Sequence, residues 1–258
     1  MKNWTLQIDD GLARLTLKTE IKGNRLTPEV FAELNDVLRS LDLNVVRGLI
    51  LVSQGADFTQ GFDLSFILKS DQRDPVFLYN IFETCNQALD RLYKLQIPSM
   101  TIINGSCIGG GLLMAMATDF RVADAKAKFG FPEVKQSLVV NLGLKRVFQV
   151  LGENRTKELV LLGKIVTAQT MHNWGVINWV VDQSDFEERI KFFKQYINST
   201  PPLAVRANKE LIQKLHELTL EESIEIENKL QIQVLKSDDF AEAINSFLEK
   251  RKPFYKGK

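Results

Sequence analysis

Short apolar runs at Gly48–Ser53 (GLILVS) and Ser99–Asn104 (SMTIIN), with a weaker third at Phe120–Ala123 (FRVA), constrain this chain more than any other feature. They are too short for buried helices and too continuous for strands with one wet face, so they read as strands covered on both sides. Helical patterns separate them, at about Pro75–Leu95 and Gly110–Ala117. Strands alternating with helices predict an α/β core with parallel pairing. Upstream, Trp4, Leu6 and Ile8 alternate with polar residues, Asp9–Asp10–Gly11 turns the chain, and Ala13, Leu15 and Leu17 alternate again. That is a β-hairpin pattern. Thr27–Pro28 reads as an N-cap followed by proline at the first helical position, with Val30, Phe31, Leu34, Val37, Leu38 and Leu41 at helical spacing behind it.

After Gly152 the pattern turns helical: Asn154–Leu162, Ala168–Trp174, Phe186–Asn198, Leu203–Leu215, Leu220–Lys236 and Phe240–Lys250, with one short strand near Val176–Val181. Thr200–Pro201–Pro202 interrupts the run as a hinge or linker. A chain of 258 residues has room for one large domain, or one domain with an appendage. A net charge of +1 gives no reason to expect nucleic acid or an acidic membrane as partner. No apolar run reaches a membrane span, and Met1–Lys2–Asn3–Trp4 leads straight into the hairpin without a signal-like segment, so a cytoplasmic location is expected. Cys85 and Cys107 fit neither a disulfide framework nor a zinc site.

Chemistry concentrates in three segments. Phe58–Leu64 (FTQGFDL) and Asn104–Gly111 (NGSCIGGG) each follow an apolar strand, and the second opens a helix. Glycine lets backbone approach a ligand, and the first N–H groups of a helix have no intrahelical acceptor and attract negative charge. Taken alone, each reads first as a tight turn. Phe129–Glu133 (FGFPE) places a carboxylate just after a proline, in isolation an ordinary helix start. The three together, in this order, point further.

The chain resembles the crotonase, or enoyl-CoA hydratase/isomerase, superfamily. FTQGFDL is similar to its first oxyanion segment, IGGG followed by ATDFRVA to its second, and FGFPEV to its acid/base segment. Thr167–Val181, Pro202–Lys209 and Phe247–Phe254 (FLEKRKPF) resemble its downstream elements, so the likeness spans nearly the whole chain. It implies a spiral core of repeated ββα units over residues 1–200, for CoA binding and catalysis. Residues 201–258 become a helical region serving oligomerisation and the nucleotide end of CoA. It implies further that the N–H groups of Phe62 and Gly110 hold the thioester oxygen, and that Glu133 is the proton-transfer base. Lys22, Asn24, Arg25, Gly61, Asp63, Phe247 and Lys250 fall at CoA-binding positions, and no cofactor is implied, because acyl-CoA is the substrate. For Asp63 on its own, backbone capping is the plainer role.

Two departures matter. Family hydratases use a second glutamate from the helix after the glycines, and that position is Leu113, which cannot hold a water or pass a proton. It lies three residues past Gly110, on the same helix face as the donor. Asn141, eight residues after Glu133, stands where dienoyl-CoA isomerases of the family place aspartate and hydratases glycine; it either touches substrate or water or caps a loop. The leading expectation is a Δ3–Δ2-enoyl-CoA isomerase-like enzyme with one glutamate base. A hydratase or other acyl-CoA lyase, a decarboxylase or a thioester hydrolase stands behind it, and a non-catalytic acyl-CoA binder is the alternative of another class. A homotrimer, or a hexamer of two trimers, is expected from the apolar faces of the helical C-terminal third.

Overall fold

The computed structural model describes residues 1–68 and 74–258. The hairpin forms as expected from β1 (Trp4–Asp9) and β2 (Leu12–Leu17), and α1 (Pro28–Ser40) is pinned against it where the Trp4 indole N–H donates to the Val30 carbonyl at 2.8 Å. Thr27 occupies the N-cap of α1, but its hydroxyl makes no capping hydrogen bond. β3 (Gly48–Ser53) follows, then the short α2 (Leu64–Leu68), α3 (Pro75–Tyr93), β4 (Ser99–Ile103), β5 (Ser106–Ile108), α4 (Gly110–Met116), β6 (Phe120–Asp124) and β7 (Lys128–Gly130). The remaining elements are α5 (Leu144–Leu161), β8 (Ile165–Thr167), α6 (Ala168–Asn173), β9 (Trp179–Val181), α7 (Phe186–Ser199), α8 (Pro202–Lys214), α9 (Leu220–Leu235) and α10 (Asp238–Leu248).

The main sheet runs β1-β2-β3-β4-β6-β9 and is parallel throughout except for the β1–β2 hairpin. Its central strands β3 and β4 are buried on both faces, as their continuous apolar character requires, while the edge strand β1 is largely exposed. Leu15, Leu49, Leu51 and Ile103 face the principal core with α1, α3 and α4. Leu12, Ile50, Val52, Met100, Ile102 and Val122 face the opposite side, where Ile190, Phe193 and Ile197 of α7 cover them. A second sheet, β5-β7-β8, is absent from the sequence expectations because three-residue strands carry no readable alternation. α5 begins ten residues earlier than the predicted Asn154 and breaks at Gly152 (φ 69°, ψ 178°); the expected helix is its second half. The repeated strand–helix core leads into helices, the α/β layout that the resemblance to the crotonase superfamily implies.

Among the described residues no helix is long and apolar enough to cross a membrane. α8, α9 and α10 bury no apolar side chain in this chain, while Leu220, Phe247, Leu248 and Phe254 are each more than 70% exposed. α8 is nonetheless tied to the core: the Lys209 ammonium donates to the Ile97 carbonyl at 2.8 Å and to Asp119 at 2.6 Å.

Candidate active site

Two backbone segments run side by side next to α4. Thr59 N–H donates to the Ser106 carbonyl (2.9 Å) and Ile108 N–H to the Thr59 carbonyl (3.1 Å), so the first glycine segment runs parallel to β5. At Gly61 (φ 89°) a Cβ would stand 3.1 Å from the Ile108 carbonyl oxygen, so only glycine combines that backbone angle with that approach.

The first donor is aimed by a small piece of strand logic. Leu26 donates to the Gly61 carbonyl (2.9 Å) and accepts from Asp63 N–H (2.8 Å), spending both of its main-chain groups on the neighbours of Phe62. Alternation along an extended segment therefore turns the Phe62 N–H away from Leu26. Gly110 is the first residue of α4, where an N–H has no acceptor within the helix. Among the described residues neither N–H has a hydrogen-bond partner. The far end of α4 is clamped by the buried Arg121, whose guanidinium donates to the carbonyls of Thr118 (2.7 Å), Ala115 (3.3 Å) and Val176 (2.6 Å).

Phe62 and Gly110 line one cavity of about 100 Å³, together with Gly61, Arg25, Leu113, Glu133 and Asn141. Whole-ligand pockets run to roughly 300–1,000 Å³, so this one has the scale of a reacting end rather than of an entire CoA ester. Glu133 reaches it from a single 3-10 turn, Pro132–Gln136, that starts on proline. Its Oε1 lies 2.5 Å from where a Cβ on Gly109 would sit, and its Oε2 is buried with no hydrogen-bond partner among the described residues. Burial pushes the carboxyl above its ordinary range. A buried carboxylate oxygen without a donor is costly in a folded protein, and such groups gather at sites of proton transfer. Glu133 is the one carboxylate among the described residues that line the cavity.

Other sequence-derived positions fall elsewhere. Asn24 is buried and committed to the fold: it accepts from Thr19 N–H (3.2 Å) and donates to the Gln54 (2.9 Å) and Asp57 (3.0 Å) carbonyls. Its side chain is thus engaged within the fold, and Asn24 does not line this cavity. Asp63 caps α2, accepting from Ser65 N–H (3.1 Å) and Oγ (2.9 Å), which agrees with its plainer reading. Lys22, Phe247 and Lys250 are exposed and do not line this cavity. Gln60, Phe82, Gln136, Val139 and Leu142 do line it and were not singled out from the sequence. Gln136 had one readable signal: three residues beyond Glu133 in a 3-10 turn, where side chains eclipse. Cys107 is buried and its thiol is pushed well up by burial, and His172 Nδ1 sits 2.8 Å from the Ile177 carbonyl; both are structural.

The pattern that describes enoyl-CoA hydratases/isomerases matches residues 7–258. A Delta(3,5)-Delta(2,4)-dienoyl-CoA isomerase of Dictyostelium discoideum is 31% identical over 222 residues, covering 82% of this chain and 75% of that protein. A carnitinyl-CoA dehydratase of Escherichia coli O157:H7 is 30% identical over 244 residues, 92% of each chain. The crystal structure of an enoyl-CoA hydratase from Bacillus anthracis superposes with a TM-score of 0.92 at 27% identity, covering 100% of both chains.

Proposed function

The chain belongs to the enoyl-CoA hydratase/isomerase family, and within it we propose a double-bond shift of the Δ3–Δ2-enoyl-CoA kind, carried by one carboxylate. The observation behind this reading is that Glu133 shares the cavity that Phe62 and Gly110 border with Leu113, rather than with a second acid. Glu133 removes a proton from C2, and electron density moves onto the thioester oxygen, held by the Phe62 and Gly110 N–H groups as a dienolate. The now neutral acid returns the same proton at C4, leaving the double bond between C2 and C3. Atoms balance with a single group because the base becomes the acid. Its raised pKa suits both halves, since a proton acceptor that is too weak a base would not take a carbon-bound proton. Leu113 and the neighbouring apolar wall keep water from the intermediate.

A second reading has its own support. Asn141 and Gln136 place two carboxamides on the same cavity, and either would orient a water for hydration with Glu133 as base. Offering 3-enoyl-CoA and 2-enoyl-CoA side by side and identifying products separates the two. Conversion of the 3-enoyl ester without hydration of the 2-enoyl ester is expected; hydration at enzymatic rates with no isomerisation would overturn the first reading in favour of the second.

We assign the outer part of the CoA ester to Arg25 and Lys22 on this chain, with Phe247 and Lys250 contributing from α10 and the turn after it. Cationic side chains suit its phosphates. That no apolar side chain of α8, α9 or α10 is fully buried within this chain supports a homotrimer or a pair of trimers, in which a partner would complete the burial.

A further inference from the structure

Asp57 lies outside the cavity, yet its carboxylate joins the two segments that carry the donors. Oδ1 accepts from Ser106 N–H at 2.7 Å, and Oδ2 accepts from the Gln60 amide Nε2 at 2.8 Å. Ser106 opens β5, four residues before Gly110, and Gln60 stands two residues before Phe62. The main-chain bonds between these segments stop short of Gln60: Phe58 N–H to Asn104, Thr59 N–H to Ser106, and Ile108 N–H to Thr59. Gln60 N–H turns instead to the Gly23 carbonyl (2.8 Å). Asp57 is itself held, its carbonyl accepting from Ser53 Oγ (3.0 Å) and from the Asn24 amide (3.0 Å). The strand end at 104–106 sits hard against it, since a Cβ on Gly105 would fall 2.7 Å from Oδ1. Burial pushes the Asp57 carboxyl up, but the hydrogen bonds from Ser106 and Gln60 outweigh it and hold the group below its ordinary range, hence charged at neutral pH.

We propose that Asp57 is a positioning residue for the oxyanion hole: by gripping Ser106 with one carboxylate oxygen and Gln60 with the other, it sets the spacing and aim of the Gly110 and Phe62 N–H donors. This rests on the reading of those two groups as the hole. Donors act at about 2.7–3.1 Å from the developing oxyanion. A drift of about 1 Å in a positioning element costs on the order of 10²-fold in rate. A charged acceptor suits the task because charge-assisted hydrogen bonds are shorter and stiffer than neutral ones.

The test reads the hole directly. The carbonyl stretch of bound 2-enoyl-CoA, followed by infrared difference spectroscopy, falls in frequency when the thioester oxygen is polarised. Wild type is expected to show that fall; its absence would sink the hole itself, and this proposal with it. Asp57→Ala is expected to lose most of the frequency shift and about 10²-fold in kcat, with KM within about threefold. Asp57→Asn keeps the acceptor for Ser106, and Gln60 can rotate its amide to pair with the new one, so shift and kcat should largely return. Retention of both in the alanine variant would overturn the proposal, as would equal loss of kcat in both variants with the carbonyl shift intact. Should the alanine variant not fold, Gln60→Glu carries the test, since it sets two carboxylates face to face and should cost activity. Combining it with Asp57→Asn restores a donor–acceptor pair and should recover both readouts; no recovery in the double variant refutes the coupling.

Discussion

Replacing Gly109 by alanine separates backbone geometry from carboxylate chemistry at the site. Gly109 adopts φ 55° and ψ −124°, a conformation that costs an L-residue about 1–3 kcal/mol. The added methyl would also stand 2.5 Å from Glu133 Oε1 and 3.4 Å from its Cδ. Ordinary carbon–oxygen contact begins at about 3.3 Å even for weak C–H···O approaches, so the carboxylate must retreat by roughly 0.8 Å. A misplacement near 1 Å at a reacting group costs on the order of 10²-fold. Backbone strain in a chain of this size lowers Tm by roughly 2–12 °C. Gly110→Ala is the internal control: its Cβ would meet only Leu142 and Leu26, both at 3.6 Å, and it keeps the N–H that faces the cavity. Purified variants should be compared by thermal melt, by kcat and KM on 3-enoyl-CoA, and by deuterium exchange at C2 of a bound acyl-CoA. The expected order is wild type, then Gly110→Ala close behind, with Gly109→Ala far below in kcat and in exchange. If Gly109→Ala exchanges at the wild-type rate, or Gly110→Ala proves the worse, the carboxylate does not work from where Gly109 places it.

Glu133→Gln keeps the size but not the basicity, and should lower kcat by about 10²–10⁴-fold while acyl-CoA affinity by calorimetry stays near wild type. Burial raises the Glu133 carboxyl, so kcat/KM should fall on the acid side with an apparent pKa above the usual glutamate range. The stability sign follows: the folded state holds this proton more tightly than the unfolded one, so the charged form penalises the fold as pH rises, and Glu133→Gln should gain Tm over wild type between acid and neutral pH. Leu113→Glu sets a second carboxylate on the cavity wall, which should introduce measurable hydration of 2-enoyl-CoA at the expense of isomerisation. Lys250→Glu should weaken binding of the full CoA ester more than that of the pantetheine ester, and light scattering at micromolar concentration should return a trimer or hexamer; equal losses, or a monomer, would count against these assignments.

The elements read correctly from the sequence are those whose burial is local in pattern. The β1–β2 hairpin, α1, β3 and α3 announce themselves through alternation, helical spacing and a proline at the first helical turn, because each buries one periodic face or a continuous apolar run. β5, β7 and β8 do not, since three residues of extended chain hold their place by pairing across long sequence separations. α9 was legible as a helix from its period, and the structure adds a Thr219–Glu222 capping box at its start. What it buries was not legible, because none of its apolar side chains is fully buried within this chain.

The site divides along the same line. Glu133, Phe62 and Gly110 were reachable because their segments resemble those of a family, and the fold then brings them to one cavity. The bonds by which Asp57 and Asn24 lock the fold were not, since hydrogen bonds spanning 49 and 33 residues leave no local trace. The same contrast bears on which reaction this scaffold runs. The donors and their glycines are dictated by backbone geometry, which any acyl-CoA chemistry on this fold can share. The choice among reactions rests on side chains that project into about 100 Å³ beside Glu133. Leu113 faces that space with no polar atom, so a water activated from the α4 side would have nothing to hold it. Of the three carboxamides that line that space, Gln60 already spends its Nε2 on Asp57, which leaves Gln136 and Asn141 as the groups best placed to hold a water. Replacing both by leucine should therefore leave the isomerase rate within about tenfold of wild type if one carboxylate does all the proton work. A collapse of the product-forming rate in that double variant, with acyl-CoA affinity intact, would instead identify the carboxamides as water holders and the reaction as hydration.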